Sequence, residues 1–177
     1  MHNDGILHRD IKLANIFLKT EMGTDGKPYV RAKLGDYGFS VKVEAEHMTH
    51  IELKTYLGTA LYMAPELLDQ ETYNYQTDIF AIGIVAYKLL YLVTPFQAEN
   101  KFELRKLLDI GVVCFDPERV KGGLSMDMVD FIMGCLMYNR VNRTKMDSLM
   151  SAPILCKKYE EVAMTKCGPG IINRSIK

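Results

Sequence analysis

Two short strand-like runs, residues 16–19 and 29–34, flank a stretch of turn chemistry, Gly23-Thr24-Asp25-Gly26-Lys27-Pro28, whose glycines are free to take positive φ. The runs therefore close a β-hairpin, and that hairpin constrains the fold more than any other local feature. It holds Asn15 just before its first strand and Asp36 just after its second. Two oxygen donors distant in sequence meet at its open end, because antiparallel strands return the chain to its starting point.

The rest of the pattern is helical. Pro65 opens a short helix through Leu67 and Leu68, as proline is tolerated in a first helical turn. Thr77 and Asp78 are placed to cap a helix running to about Leu92 and ending before Pro95. Phe102, Leu104, Leu107 and Leu108 mark an amphipathic helix, and Ser125 begins another that carries Met128, Val129, Ile132, Met133 and Leu136. Residues 147–152 form the last, broken at Pro153. The apolar stretch 79–93 is interrupted by Lys88 and falls short of the ~20 residues a membrane span needs, so it reads as a buried central helix. Residues 1–7 read as the tail of a helix, and the polar stretch 41–57 as a long exposed loop. The segment 157–177, with Gly168-Pro169-Gly170, reads as a loosely structured tail behind a single domain of residues 1–156.

Composition adds exclusions. A chain of 177 residues that is 48% hydrophobic can bury one sizeable core, and a formal net charge of zero argues against a nucleic-acid or membrane-surface binder driven by bulk charge. Cys114, Cys135, Cys156 and Cys167 form no C-x-x-C pair and read as reduced thiols of a cytoplasmic or nuclear protein. His47 and His50 lack a third ligand in range and read as solvated loop histidines rather than zinc ligands. No basic region followed by an apolar run opens the chain, so no secretory signal is expected.

The chemistry is concentrated in His8-Arg9-Asp10-Ile11-Lys12-Leu13-Ala14-Asn15. Asp10 can accept the proton of an attacking hydroxyl, Lys12 can balance phosphate charge, and Asn15 offers a hard oxygen to Mg²⁺. Downstream stand Asp36-Tyr37-Gly38 and the run from Gly58-Thr59 to Ala64-Pro65-Glu66.

In that order and at those spacings the motifs resemble the carboxy-terminal lobe of a eukaryotic-type protein kinase of the Ser/Thr type, over about residues 5–156. The implied fold is mainly α with a small β-hairpin. The resemblance implies ATP and Mg²⁺ as cofactors and protein substrates with Ser or Thr acceptors. It makes Asp10 the proton acceptor, Lys12 the phosphoryl-neutralising cation and Thr59 their hydrogen-bonding partner. Asn15 and Asp36 become the metal ligands. Phe17 either packs against the adenine ring or is a plain core residue. Arg9, otherwise a surface arginine, becomes the receiver of a phosphate on Thr55, with Thr49 and Tyr56 the other hydroxyls nearby. Glu66 and Arg143, otherwise two unpaired charges, become a buried pair. Asp78, beyond capping its helix, reaches back to backbone N–H groups of the catalytic loop. Tyr37, in place of the usual phenylalanine, brings a hydroxyl that needs water or a partner if buried.

The family pattern also needs a Gly-rich loop, a strand lysine and a helix glutamate before the first motif, where this chain has only residues 1–7. The amino-terminal lobe is thus expected to be absent and the isolated chain inactive. Apolar surface around Ile6, Phe17 and Tyr37 would then need a partner to cover it. Gly38-Phe39-Ser40 and the run 57–66 lean toward the autophagy-initiating kinases. Two other readings stand beside this one. The first is a non-catalytic kinase-like binding module. The second is a metal-dependent hydrolase on Asp10, Asn15 and Asp36, which leaves Thr59, Glu66 and Arg143 unexplained.

Overall fold

The computed structural model describes residues 1–42, 60–71, 73–120, 123–156 and 170–177. In chain order the elements are β1 (Ile6–Leu7), β2 (Ile16–Met22), β3 (Pro28–Leu34), β4 (Val41–Lys42), α1 (Pro65–Leu68) and α2 (Gln76–Tyr91). They continue with α3 (Lys101–Ile110), β5 (Val112–Phe115), α4 (Met126–Leu136), α5 (Met146–Met150), α6 (Pro153–Cys156) and β6 (Ile172–Ser175). The described strands form three antiparallel pairs, β1 with β4, β2 with β3 and β5 with β6.

The apolar run from Ile79 becomes the axis of the core. Ile79, Phe80, Ile84, Val85, Tyr87 and Tyr91 of α2 are all buried, and α4 packs against them with Val129, Ile132 and Leu136. The two helices approach closely at Gly83, where a Cβ would lie 2.7 Å from Cys135 Cβ and 2.8 Å from Leu136 Cδ2. Any larger residue there would push the helices apart. The same burial pushes the Cys135 thiol pKa up to about 12. Among the described residues, no helix is long and apolar enough to cross a membrane.

Helix starts follow capping chemistry, with one correction. Asn100 caps α3 by accepting from Glu103 N–H at 2.9 Å, and Ser125 caps α4 by accepting from Met128 N–H at 3.2 Å. Asp78 does not cap α2, because its carboxylate is committed elsewhere. Asn74 serves instead, its side chain accepting from Gln76 N–H at 3.0 Å and its carbonyl from the Thr77 hydroxyl at 3.0 Å.

Other boundaries differ from expectation. The hairpin strands run the full seven residues each of β2 and β3, in register from Ile16 opposite Leu34 to Met22 opposite Pro28. One face is apolar, with Leu18, Met22 and Val30 exposed; the other carries Glu21, contacted by Arg31, Lys33 and Lys19 at 2.7, 3.2 and 3.5 Å. Of residues 1–7, read as a helix tail, His2–Asp4 form one 3₁₀ turn closed by a left-handed Gly5 (φ 74°), and Ile6–Leu7 are already β1. Pro153 starts α6 rather than only ending its predecessor. The end of the supposed loose tail is ordered, since β6 pairs with β5 and Ile176 is fully buried. Of the loop 41–57, only β4 lies among the described residues.

Candidate active site

The catalytic-loop motif folds as an irregular segment between β1 and a 3₁₀ turn, Leu13–Asn15, that leads into the hairpin. His8 is fully buried beneath it. Its Nδ1 accepts from the Asp10 N–H at 3.3 Å, so the ring hydrogen sits on Nε2 and is donated to the Gly35 carbonyl at 3.1 Å. One imidazole thereby ties the loop to the far end of the hairpin.

Asp10 is buried, and its two oxygens differ. Oδ2 accepts from Lys12 Nζ at 2.8 Å and from Asn15 Nδ2 at 3.0 Å. Oδ1 is buried with no hydrogen-bond partner among the described residues. A buried carboxylate oxygen left unpaired is costly, and such exceptions mark places where something else binds.

Asn15 Nδ2 donates a second time, to the Asp10 carbonyl at 2.8 Å. What Asn15 can offer a further partner is therefore its amide oxygen. The hairpin closes below it, with Gly35 N–H donating to the Asn15 carbonyl at 2.9 Å, which brings the exposed Asp36 to the same end. An amide oxygen and a free-facing carboxylate are the hard donors Mg²⁺ takes, with other positions left for water and phosphate. The pair fits that ion. Among the described residues, no group of three His, Cys, Asp or Glu could hold a metal.

Asp36 sits in the left-handed region, φ 59° and ψ 72°, and accepts weakly from Gly38 N–H at 3.4 Å. Arg9, with φ 65°, is the other residue of the site held there. Left-handed backbone at a non-glycine residue costs about 1–3 kcal/mol and persists where its surroundings over-determine it. Asp78 supplies those surroundings at Arg9. Its Oδ1 accepts the Arg9 N–H at 2.9 Å, its Oδ2 accepts the His8 N–H at 2.9 Å, and His2 Nε2 lies 2.8 Å from Oδ2.

The Arg9 side chain donates to the Phe39 carbonyl at 2.6 Å and to the Tyr73 hydroxyl at 2.9 Å, facing the segment after β3. Phe17 is 59% exposed, which excludes the plain core reading, and its ring covers Gly35, where a Cβ would meet it at 2.8 Å. Tyr37 is 52% exposed and stacks tilted on His8 at 5.0 Å, so it is not a buried wedge. Thr59, Thr55, Thr49 and Tyr56 lie outside the described residues.

Behind the site, Glu66 and Arg143 form a buried bidentate pair at 2.8 and 3.1 Å. Arg143 also donates to the carbonyls of Met137, Gln76 and Tyr138 at 2.9, 2.7 and 3.2 Å, and its guanidinium stacks on Phe80 at 5.0 Å. All five of its N–H donors are thus engaged. This joins α1, the start of α2 and the segment after α4. Two residues of the site carry no sequence signal of their own, His2 and Tyr73. Each reaches its partner across more than sixty residues, |i−j| 76 and 64, which local pattern does not encode.

Comparison with known proteins gives the class to which this arrangement belongs. A family model described as protein kinase domain matches residues 1–155. The chain is 33% identical over 163 residues to serine/threonine-protein kinase Nek9 of Mus musculus, covering 92% of this chain and 15% of that protein. It is 32% identical over 162 residues to calcium/calmodulin-dependent protein kinase cmkB of Emericella nidulans, covering 90% and 38%. It is 33% identical over 159 residues to the G2-specific protein kinase nim-1 of Neurospora crassa, covering 89% and 17%. The chain belongs to the protein kinase domain family. It spans well under half the length of each of these relatives. They do not confirm the lean toward the autophagy-initiating group.

Proposed function

We propose that the complete protein is a serine/threonine kinase that transfers the γ-phosphoryl of ATP to protein hydroxyls. The observation that carries this reading is the asymmetry of Asp10, with Oδ2 pinned by Lys12 and Asn15 and Oδ1 buried without a partner among the described residues. In the proposed reaction Oδ1 takes the proton of the substrate hydroxyl as its oxygen attacks phosphorus. Lys12 places positive charge beside the acceptor, and Lys12 with Thr59 supports Ser or Thr over Tyr as the acceptor. Mg²⁺ at Asn15 and Asp36 would neutralise charge on the nucleotide phosphates. Phe17 would face the nucleotide base. Arg9 would leave the Phe39 carbonyl and Tyr73 to pair with a phosphate on Thr55 through charge-assisted bonds.

A second reading, a kinase-like binding module without transfer, is favoured by the uncovered apolar surface. Phe17 and Tyr37, 59% and 52% exposed, lie beside the site. Under the kinase reading a second lobe or a partner covers this face and completes the phosphate clamp. Transfer of labelled phosphate by the full-length protein, with Asp10→Asn as control, separates the two. Asp10-dependent labelling of Ser or Thr supports the kinase; nucleotide binding with no transfer supports the module.

A further inference from the structure

We propose that β5, the turn at Gly111 and Tyr138 form a docking groove for an extended peptide. Residues 171–177 are its ligand in cis, exchangeable in trans for a segment of the same chemistry: apolar, three residues, apolar, lysine. The fit is specific at each point. β6 pairs antiparallel with β5, from Val112 opposite Ser175 to Phe115 opposite Ile172. Ile176 then leaves the ladder and is fully buried, its N–H donating to the Gly111 carbonyl at 2.7 Å and its carbonyl accepting from Tyr138 N–H at 2.9 Å. Ile172 packs partly buried on the main core. Lys177 Nζ lies 3.5 Å from Asp109 Oδ1 and 4.0 Å from the centroid of the Tyr138 ring. Gly111, at φ 68°, admits this approach: a Cβ there would stand 3.0 Å from Lys177 Cγ and 3.2 Å from Ile176 Cγ1.

The receiving side is held in place without β6. The Tyr87 hydroxyl donates to the Cys114 carbonyl at 2.7 Å and the Tyr91 hydroxyl to the Asp116 carbonyl at 3.3 Å, fixing β5 from α2. Val113 and Phe115 are fully buried beneath it. Arg105 bridges Asp69 and Asp109 at 2.6 Å each and lies 5.5 Å from the Tyr138 ring centroid, so the cation-accepting corner is organised independently of Lys177. A preorganised edge with one pocketed side chain and a charge at the end is how sheets recognise extended peptides. The ligand segment is covalently part of the same chain, so it competes intramolecularly with any peptide added in trans.

The test uses the full chain. Ile176→Asp removes the buried anchor and opens the groove, and a fluorescein-labelled peptide of residues 170–177 is titrated by anisotropy. The Ile176→Asp chain should bind it saturably, and the unaltered chain at least about tenfold more weakly, because its own segment competes. A peptide carrying aspartate at position 176 should not bind. A folded Ile176→Asp chain that ignores the peptide, or takes both peptides equally, overturns the proposal. Native-state hydrogen exchange on the unaltered chain decides the matter if that variant fails to fold. Exchange of the Ile176 and Tyr138 amides through a local opening supports a detachable ligand; exchange only with global unfolding, as for Ile84 and Ile132, overturns it.

Discussion

Asp78 Oδ1 accepts the backbone N–H of Arg9 at 2.9 Å while Arg9 holds a left-handed φ of 65°. Of the two roles the sequence suggests for this carboxylate, capping α2 and holding catalytic-loop amides, the structure shows the second, on the residue before Asp10. Its second oxygen takes the His8 N–H, so two successive amides of the loop are held by one side chain anchored in the core helix.

Asp78→Asn should therefore loosen the loop without unfolding the lobe. An amide has one acceptor oxygen where the carboxylate uses two for the His8 and Arg9 N–H donors, with His2 Nε2 also on Oδ2. It turns its own N–H groups toward one of those backbone donors. One buried donor is left unmet, at about 1–3 kcal/mol. Hydrogen exchange at the His8 and Arg9 amides should accelerate while far-UV circular dichroism is unchanged. Unaltered exchange at both amides would refute the assignment.

Asp10→Asn in the full-length protein should lower turnover by about 10²–10⁴ and leave nucleotide binding nearly intact, since the side chain is a proton acceptor and not a metal ligand in the proposed reaction. Asp36→Asn should instead weaken Mg²⁺-dependent nucleotide binding. Saturating-ATP turnover and calorimetric titration separate the two; near-normal turnover of the Asp10 variant counts against the mechanism.

Breaking the Glu66–Arg143 pair should cost about 3–5 kcal/mol, because the survivor is a charge buried without its partner. Arg143→Leu should be worse than Glu66→Gln. It also strips donors from the carbonyls of Met137, Gln76 and Tyr138. For the same reason the double variant Glu66→Leu, Arg143→Leu should not return to the original stability. Urea midpoints measure all three, and equal, small losses would show that the pair is dispensable.

The hairpin should respond to acid. Hydrogen bonding first to Arg31 and then to Lys33 lowers the Glu21 pKa from 4.5 to about 2. A depressed carboxyl pKa means the folded hairpin binds its proton less readily than the unfolded one. Its contribution is thus fully present above pH 4.5 and is lost as pH falls through about 2. Amide exchange across β2 and β3, followed over that window, should rise, and Glu21→Gln should flatten the dependence. Because Glu21 lies on an exposed face, added salt should shrink the effect. An identical pH profile in the Gln variant would rule the cluster out.

The hairpin and most helices are legible in the sequence because each rests on local signals, turn glycines for the one and apolar period for the others. The catalytic loop is legible because Asp10, Lys12 and Asn15 meet within a single short run. Local pattern alone is blind to distant partners. The family resemblance supplies two of them, the Glu66–Arg143 pair and the reach of Asp78 to the catalytic loop, and the others escape. The sequence suggests that Asp78 both caps α2 and reaches the loop; the loop takes both of its oxygens, and Asn74, which looks like an ordinary loop residue, caps the helix instead. β6 is four residues long and follows Gly168-Pro169-Gly170, so only the waiting edge of β5 makes it a strand. His2 gives no local hint of Asp78.

The hairpin does its work at one end. His8 through Gly35, Asn15 through Gly35, and Asp36 itself all act where the strands enter, while the turn at 23–27 lies seven residues of strand away. Adding or deleting matched residues at the turn keeps Ile16 opposite Leu34, so kinases built on this frame can vary the hairpin tip in length and composition without disturbing the chemistry. Slipping one strand against the other by a single residue is different, since it would invert every side chain of that strand. The tip is thus a place where one member of the family can acquire a new surface, or an engineer a tag or sensor loop, while the end that carries Asn15 and Asp36 stays as it is.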